Sequence, residues 1–139
     1  MATSTAAPRQ RTGFPSAAGL SSAAYALGAL ALAGEGAVPI QQYVSLFHDV
    51  RWIGPLFLAN AAASVAAIAG LAYARIRPSA GLTGVVISAV ALGSLVLIYG
   101  HGLFGWREEG FRTPVALAMA TEVASVVLLS AALALTAAR

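Results

Sequence analysis

Four long apolar stretches, separated by short polar connections, make up most of this chain. Stretches of about 18 or more apolar residues with few charges are typical of helices that cross a membrane. The four stretches cover approximately residues 17–33, 53–73, 82–103 and 114–136. The pattern predicts an all-α fold, a polytopic membrane four-helix bundle, with residues 1–16 as an N-terminal tail and residues 17–139 as one transmembrane domain.

The composition narrows the class of protein and of chemistry. Of the 139 residues, 59% are hydrophobic and only 9% are charged, which is far from the balance of a soluble domain. The chain has no cysteine, so disulfide exchange and thiolate metal ligation by this chain are excluded.

The arginine residues predict the orientation of the bundle, because the chain contains no lysine. One set of connections carries arginine without any acidic residue: Arg9, Arg11, Arg75, Arg77 and Arg139. On the other side, carboxylates accompany the arginines: Arg51, Arg107 and Arg112 with Glu35, Asp49, Glu108 and Glu109. Cytoplasmic loops carry excess positive charge, so we expect both termini in the cytoplasm of a multi-pass cell-membrane protein. The formal net charge of +3 then reflects topology, and no nucleic-acid partner is expected.

The first stretch has an alternative interpretation as a cleavable signal peptide. Arg9 and Arg11 precede a short apolar region, and Ala31-Leu32-Ala33 has the small-residue pattern of a cleavage site. We favour a retained span, because the same stretch matches the third one in sequence.

An internal repeat relates the two halves of the chain. Residues 26–32, "ALGALAL", match residues 91–97, "ALGSLVL", and the following "GEG" and "GHG" correspond. The second and fourth spans also match at a constant offset, although alanine-rich spans resemble one another by chance. The repeat predicts two tandem, parallel-repeated hairpins. It also predicts that Glu35 and His101 end corresponding helices on the outer side.

Glu122 is the polar residue that most needs an explanation, because it lies inside the fourth span. An ionisable side chain at that depth is costly unless it faces protein or water, and it often marks a functional site. Glu122, His101, Glu35 and Asn60 all belong to the outer half of the bundle. We therefore expect an outward-facing pocket for ligand binding or proton exchange; the alternative is a structural, hydrogen-bonded carboxyl group.

Two further groups of residues allow other interpretations. His48, His101 and Glu35 offer nitrogen and oxygen ligands for zinc, copper or iron, and two histidines suit haem, although the spacing is not diagnostic. A histidine near a helix end more often forms an ordinary hydrogen bond. The segment "GWREEGFR" is either a solvated loop or a docking surface that includes Arg107, Glu108, Glu109 and Arg112.

The second half of the chain resembles the DoxX-like family of small four-helix membrane proteins. The resemblance rests on the segments "LVLIYGHGLFGW", "ALAMATEVASVVLLS" and "YARIRPSAG". It implies a membrane subunit of an oxidoreductase system with quinone as a partner, and it carries over only His101 and Glu122. The first hairpin departs from the family pattern, since Glu35 replaces a basic ending and Asn60 stands where a carboxylate is expected.

These observations predict a small, bacterial-type membrane subunit that is auxiliary to a membrane redox assembly and not catalytic on its own. It would bind a quinone-like or other small ligand; metal or haem is a lesser alternative. Besides the lipid bilayer, we expect a partner subunit or a homo-oligomer. One alternative is a proton-coupled or metal-ion transporter acting as an oligomer. Another is a purely structural subunit that packs closely through Gly28, Gly70 and Gly93.

Overall fold

The computed structural model describes residues 16–102, 104–105, 107, 110 and 112–138. In this part of the chain all regular structure is helical. The long helices are α1 (Ala17–Gln42), α2 (Ile53–Ala72), α3 (Arg77–Gly100) and α4 (Thr113–Ala137). A short π-helical segment, Tyr43–Phe47, continues directly from α1. All four helices are long and apolar enough to cross a membrane, which confirms the predicted all-α membrane bundle.

The helices form a ring in which each packs against the next and α4 closes on α1. The backbones of the diagonal helices α2 and α4 stay apart from each other within the described residues. The two longer connections, residues 43–52 and 101–112, lie at one end, which we call the long-loop end. The described chain ends and the α2–α3 connection lie at the opposite end, the terminal end.

The distribution of polarity is that of a bundle surrounded by lipid. Ser64, Ser88 and Ser125 are completely buried, whereas Leu30 and Val44 are each 69% exposed. Small and hydroxyl-bearing residues between helices allow close approach and interhelical hydrogen bonds, which hold helices together in a bilayer. The chain is therefore a small multi-pass membrane protein whose apolar outer surface contacts lipid.

One leucine side chain packs between three helices in the half of the bundle nearest the terminal end. Leu129 of α4 is fully buried, and its side chain occupies the space beside Gly28 of α1 and Gly84 of α3. A Cβ atom at Gly28 would lie 2.5 Å from Leu129 Cδ2, and one at Gly84 would lie 2.6 Å from Leu129 Cδ1. Larger residues at either glycine would therefore clash.

The glycines that the sequence marks as packing positions behave differently from one another. Gly28 and Gly70 are confirmed as close contacts, since a Cβ at Gly70 would lie 2.7 Å from Ala80 Cβ. Gly93 makes no close contact within the bundle, because it is exposed and an added Cβ there would meet no described heavy atom within 4 Å. The inward face of α3 instead carries Gly84 and Ser88.

The first helix does not end where the sequence pattern suggests. It continues past Ala33 to Gln42, so Glu35 lies inside the helix and the expectation that it ends a helix is wrong. The flanking glycines serve packing: a Cβ at Gly34 would lie 2.8 Å from Thr121 Cγ2, and one at Gly36 would lie 3.4 Å from Ser64 Cβ. His101, by contrast, does follow the end of α3.

Candidate functional site

Two buried carboxyl groups lie at the same level of the core, on the packed helices α1 and α4. Glu35 of α1 is 1% exposed and Glu122 of α4 is 6% exposed. The two side chains are close enough for direct electrostatic interaction. From α3, the fully buried Ser88 hydroxyl donates to Glu35 Oε2 at 2.5 Å. Three helices thus converge on one carboxyl pair, which is far more buried than ordinary acidic residues.

Several oxygen atoms of this cluster lack hydrogen-bond partners among the described residues. They are Glu35 Oε1, Glu122 Oε2 and Ser125 Oγ. Ser125 is completely buried and lies beside Glu35, although its hydroxyl completes no hydrogen bond of normal geometry. Buried polar atoms in native proteins are nearly always paired, so each of these atoms calls for a ligand, water or proton.

Pro39 adds a backbone acceptor at the same level of α1. A helical residue at position 39 normally donates its N–H to the carbonyl of residue 35, but proline has no N–H. The carbonyl oxygen of Glu35 therefore lacks its usual helical donor. Beyond Pro39 the helix widens into the π-helical segment Tyr43–Phe47, a type of distortion that often occurs at functional sites.

A cavity of about 410 Å³ lies between the helices in the half nearest the long-loop end. Most of its wall is apolar, with aliphatic side chains from every helix and the rings of Phe47 and Phe57. These two rings pack edge to face, with centroids 5.2 Å apart, and so fix the connection between α1 and α2. The polar side chains of its described lining are Gln42, Asn60, Ser94, Arg112 and Glu122.

Small side chains and the ring arrangement explain why this space exists. Because the backbones of α2 and α4 stay apart within the described residues, the diagonal of the bundle must be filled by side chains or remain open. Along this half the facing positions include Ala63, Ala91 and Ala118, which are too small to fill it. In the other half, Leu32 and Leu129 are completely buried and belong to the hydrophobic core.

The structure brings together some of the predicted site residues and separates others. Asn60 and Glu122 both lie on the cavity wall. Glu35 is not part of that wall and lies behind it, against Ser88. His101 is exposed after the end of α3 and lies outside the lining, so it does not join this group.

Comparison with known proteins was made on the whole sequence and on the fold. No family model, characterised protein or solved structure matches this chain. The geometry of the carboxyl pair and the cavity therefore carries the functional argument. In chemical terms, these groups can accept and donate hydrogen bonds, exchange protons with a cavity, and accommodate the apolar part of a ligand.

The predicted metal ligands are not gathered in one place. His48 Nε2 lies 2.9 Å from Asp49 Oδ2 in an exposed connection, while Glu35 is in the core and His101 is exposed at another helix end. The described residues contain no group of three or more metal-ligating side chains. A metal centre built from these three residues has no geometric support.

The predicted docking loop is only partly described. Arg107 and Arg112 are exposed, while Glu108 and Glu109 lie outside the described residues. Arg112 also forms part of the cavity lining, at the start of α4. Among the described residues of this loop, Arg112 is therefore the one that lines the cavity.

Ser88 is a site residue that the sequence analysis missed. A serine in a transmembrane helix commonly bonds the carbonyl four residues earlier, and Ser88 Oγ indeed lies 3.0 Å from the Gly84 oxygen. The available signal was the spacing of Gly81, Gly84 and Ser88, which places small and polar residues on one face of α3.

Proposed function

We propose that this protein is a small membrane subunit that binds an amphipathic, quinone-like ligand in its cavity, as an auxiliary part of a membrane redox assembly. The observation that carries the proposal is an apolar cavity inside a membrane bundle with a carboxamide and a carboxyl group on its wall. A quinone head group needs hydrogen-bond partners and an apolar bed for its tail. Asn60 and Glu122 supply the first, and the surrounding aliphatic side chains supply the second.

The volume and position of the cavity support a small membrane-soluble ligand. At about 410 Å³, it is within the usual range for small-molecule sites and is large enough for a head group with part of a tail. The resemblance to the DoxX-like family favours the redox setting, but only Glu122 of its two shared residues belongs to the cavity. The same setting requires a partner subunit or a second copy to deliver or remove electrons.

Filling the cavity should abolish binding of such a ligand. We expect Ala118→Phe to weaken binding of decylubiquinone by about tenfold or more, because the ring occupies space that the head group needs. The matched control is Ala120→Phe on the same helix, which is exposed and lies outside the lining. Binding would be measured by quinone titration of the purified protein in detergent.

Two results would contradict this site. One is equal affinity of the Ala118→Phe and Ala120→Phe variants for the quinone. The other is loss of binding in His101→Ala, because that side chain lies outside the cavity lining. In either case the ligand, if it binds, occupies another surface.

The proposed orientation places the long-loop end outside and both termini in the cytoplasm. The chain has no cysteine, so a single introduced thiol reports its own position. We expect Ser45→Cys, in the π-helical segment, to react with a membrane-impermeant maleimide in intact cells. Ser79→Cys, exposed near the start of α3, should react only after permeabilisation. The reverse pattern would invert the proposed topology.

The other functional classes find less support in this arrangement. A transporter is favoured by the buried carboxyl pair, but fully buried apolar side chains, among them Leu32 and Leu129, occupy the core between that pair and the terminal end. A path would therefore have to run between copies of the chain, as the oligomeric alternative supposes. The tandem hairpin repeat remains part of the proposal for how the bundle arose, and a purely structural role leaves the cavity without a purpose.

A further inference from the structure

We propose that Glu35 and Glu122 form a binding site for one proton, which the two carboxyl groups share and which exchanges with the cavity through Glu122. This inference deepens the proposed function, since a carboxyl group that carries a proton can donate to a ligand in the cavity. It rests on different observations from the quinone proposal and is tested on protein without ligand.

The first observation is the absence of a compensating charge. Neither carboxyl group forms an ion pair within the part of the chain that the structure describes. Two ionised carboxylates side by side in a core surrounded by lipid would repel each other and lose their hydration. A buried pair of this kind is stable only with a bound positive charge.

The second observation is a shortage of hydrogen atoms. Ser88 Oγ lies 2.5 Å from Glu35 Oε2 and 3.0 Å from the Gly84 carbonyl oxygen, but a hydroxyl has only one hydrogen to donate. Among the described residues, Glu35 Oε1 and Glu122 Oε2 have no donor. The Ser125 hydroxyl beside Glu35 is also unpaired, but its single hydrogen can serve only one of these two oxygens. The Glu35 carbonyl also lacks its helical donor because of Pro39.

The unpaired acceptor oxygens indicate that the group bound at this site is a proton. A proton on either carboxyl group turns an acceptor-only side chain into a donor, which supplies the hydrogen that the acceptors of this cluster lack. The step is a simple proton transfer: a hydronium ion that reaches the cavity gives a proton to a carboxylate oxygen, so that one O–H bond breaks as the other forms and a neutral water is released. The described residues contain no group of three or more His, Asp or Glu side chains that could hold a metal ion, and the test below distinguishes a proton from a sodium ion.

The surroundings determine how the proton enters. Glu122 forms part of the cavity wall and Glu35 does not, so Glu122 is the exchange point and Glu35 the deeper partner. Of the other helices, α2 presents the neutral Asn60 and Ser64, and α3 presents Ser88 and Ser94. The charged group facing the cavity from the long-loop end is Arg112.

The test is labelling with dicyclohexylcarbodiimide, an apolar reagent that reacts with protonated carboxyl groups. The purified protein in detergent at neutral pH should take up one adduct per chain. Peptide mass spectrometry should place it on Glu122, and Glu122→Gln should abolish it. In Glu35→Gln, labelling of Glu122 should fall by about tenfold, because the new amide donates hydrogens to a Glu122 carboxylate.

A matched control and a measurement on the unaltered protein keep the test decisive. Ser94 lines the same cavity, and its hydroxyl donates to the Val90 carbonyl. In the Ser94→Ala control, Glu122 should be labelled to the same extent as in the unaltered protein. Infrared spectra of the unaltered protein should show a carboxylic-acid C=O band at neutral pH that disappears in strong alkali. This measurement does not depend on a variant that folds.

Three results would overturn the shared proton. One is the absence of that infrared band at neutral pH, and another is equal labelling of Glu35→Gln and the unaltered protein. The third is protection from the reagent by sodium chloride but not by choline chloride, which would identify sodium as the occupant. Loss of quinone binding alone has no bearing on any of these results, so the two proposals fail separately.

Discussion

Replacing Leu129 with alanine is expected to lower the free energy of unfolding by about 2–5 kcal/mol. The side chain is fully buried, and it fills the space that Gly28 and Gly84 leave between three helices. Its removal opens a void that these closely packed backbones cannot collapse to fill. Reversible unfolding in mixed detergent micelles, followed by circular dichroism, measures the change.

The matched control is Leu30→Ala, which removes the same atoms from a leucine that is 69% exposed on α1. Because that side chain faces lipid or detergent in both states, we expect a change within about 0.5 kcal/mol. Equal losses at the two positions would mean that the Leu129 contact does not hold the bundle together.

The second large effect is expected when Gly28, which lies opposite Leu129, is replaced by a larger residue. Gly28→Val is expected to destabilise the protein by about 1–3 kcal/mol, because its Cβ alone would lie 2.5 Å from Leu129 Cδ2 and 2.8 Å from Leu129 Cγ. The control is Gly93→Val, at an exposed glycine whose added Cβ meets no described atom within 4 Å. That control should unfold like the unaltered protein in the same assay.

The two core positions should also be coupled. In a Leu129→Ala background, Gly28→Val should cost less than it does alone, because the valine then enters the space that the leucine vacated. Strict additivity of the two changes would show that α1 and α4 do not meet at this contact.

The four helices can be predicted from the sequence, because the length and hydropathy of a segment are local properties. The end of α1 cannot be predicted in this way. Gly34-Glu35-Gly36 has the pattern of the end of a span, since a carboxylate is expected to leave the bilayer. Glu35 stays inside because Ser88 of α3 pairs with it, and such a partner on another helix cannot be read from local sequence.

The site is predictable to a similar degree. Glu122 and Asn60 stand out as polar residues inside apolar spans, and both lie on the cavity wall. His101 has a suitable depth along the bundle, but it follows the end of α3, and periodicity does not fix where a residue beyond a helix points. The cavity itself depends on how far apart the backbones of α2 and α4 lie within the described residues, and local sequence does not determine that distance.

The half of the bundle nearest the terminal end is filled by side chains, and the half nearest the long-loop end contains the cavity. Selection for stability and selection for ligand binding therefore act on different residues. Changes around Leu129 alter how much folded protein a cell retains, whereas changes around Ala63 and Ala118 alter the shape of the cavity. Substitutions can therefore change the shape of the cavity to suit a different ligand, while the filled half of the bundle maintains the fold. In this chain, specificity can drift without a matching loss of abundance.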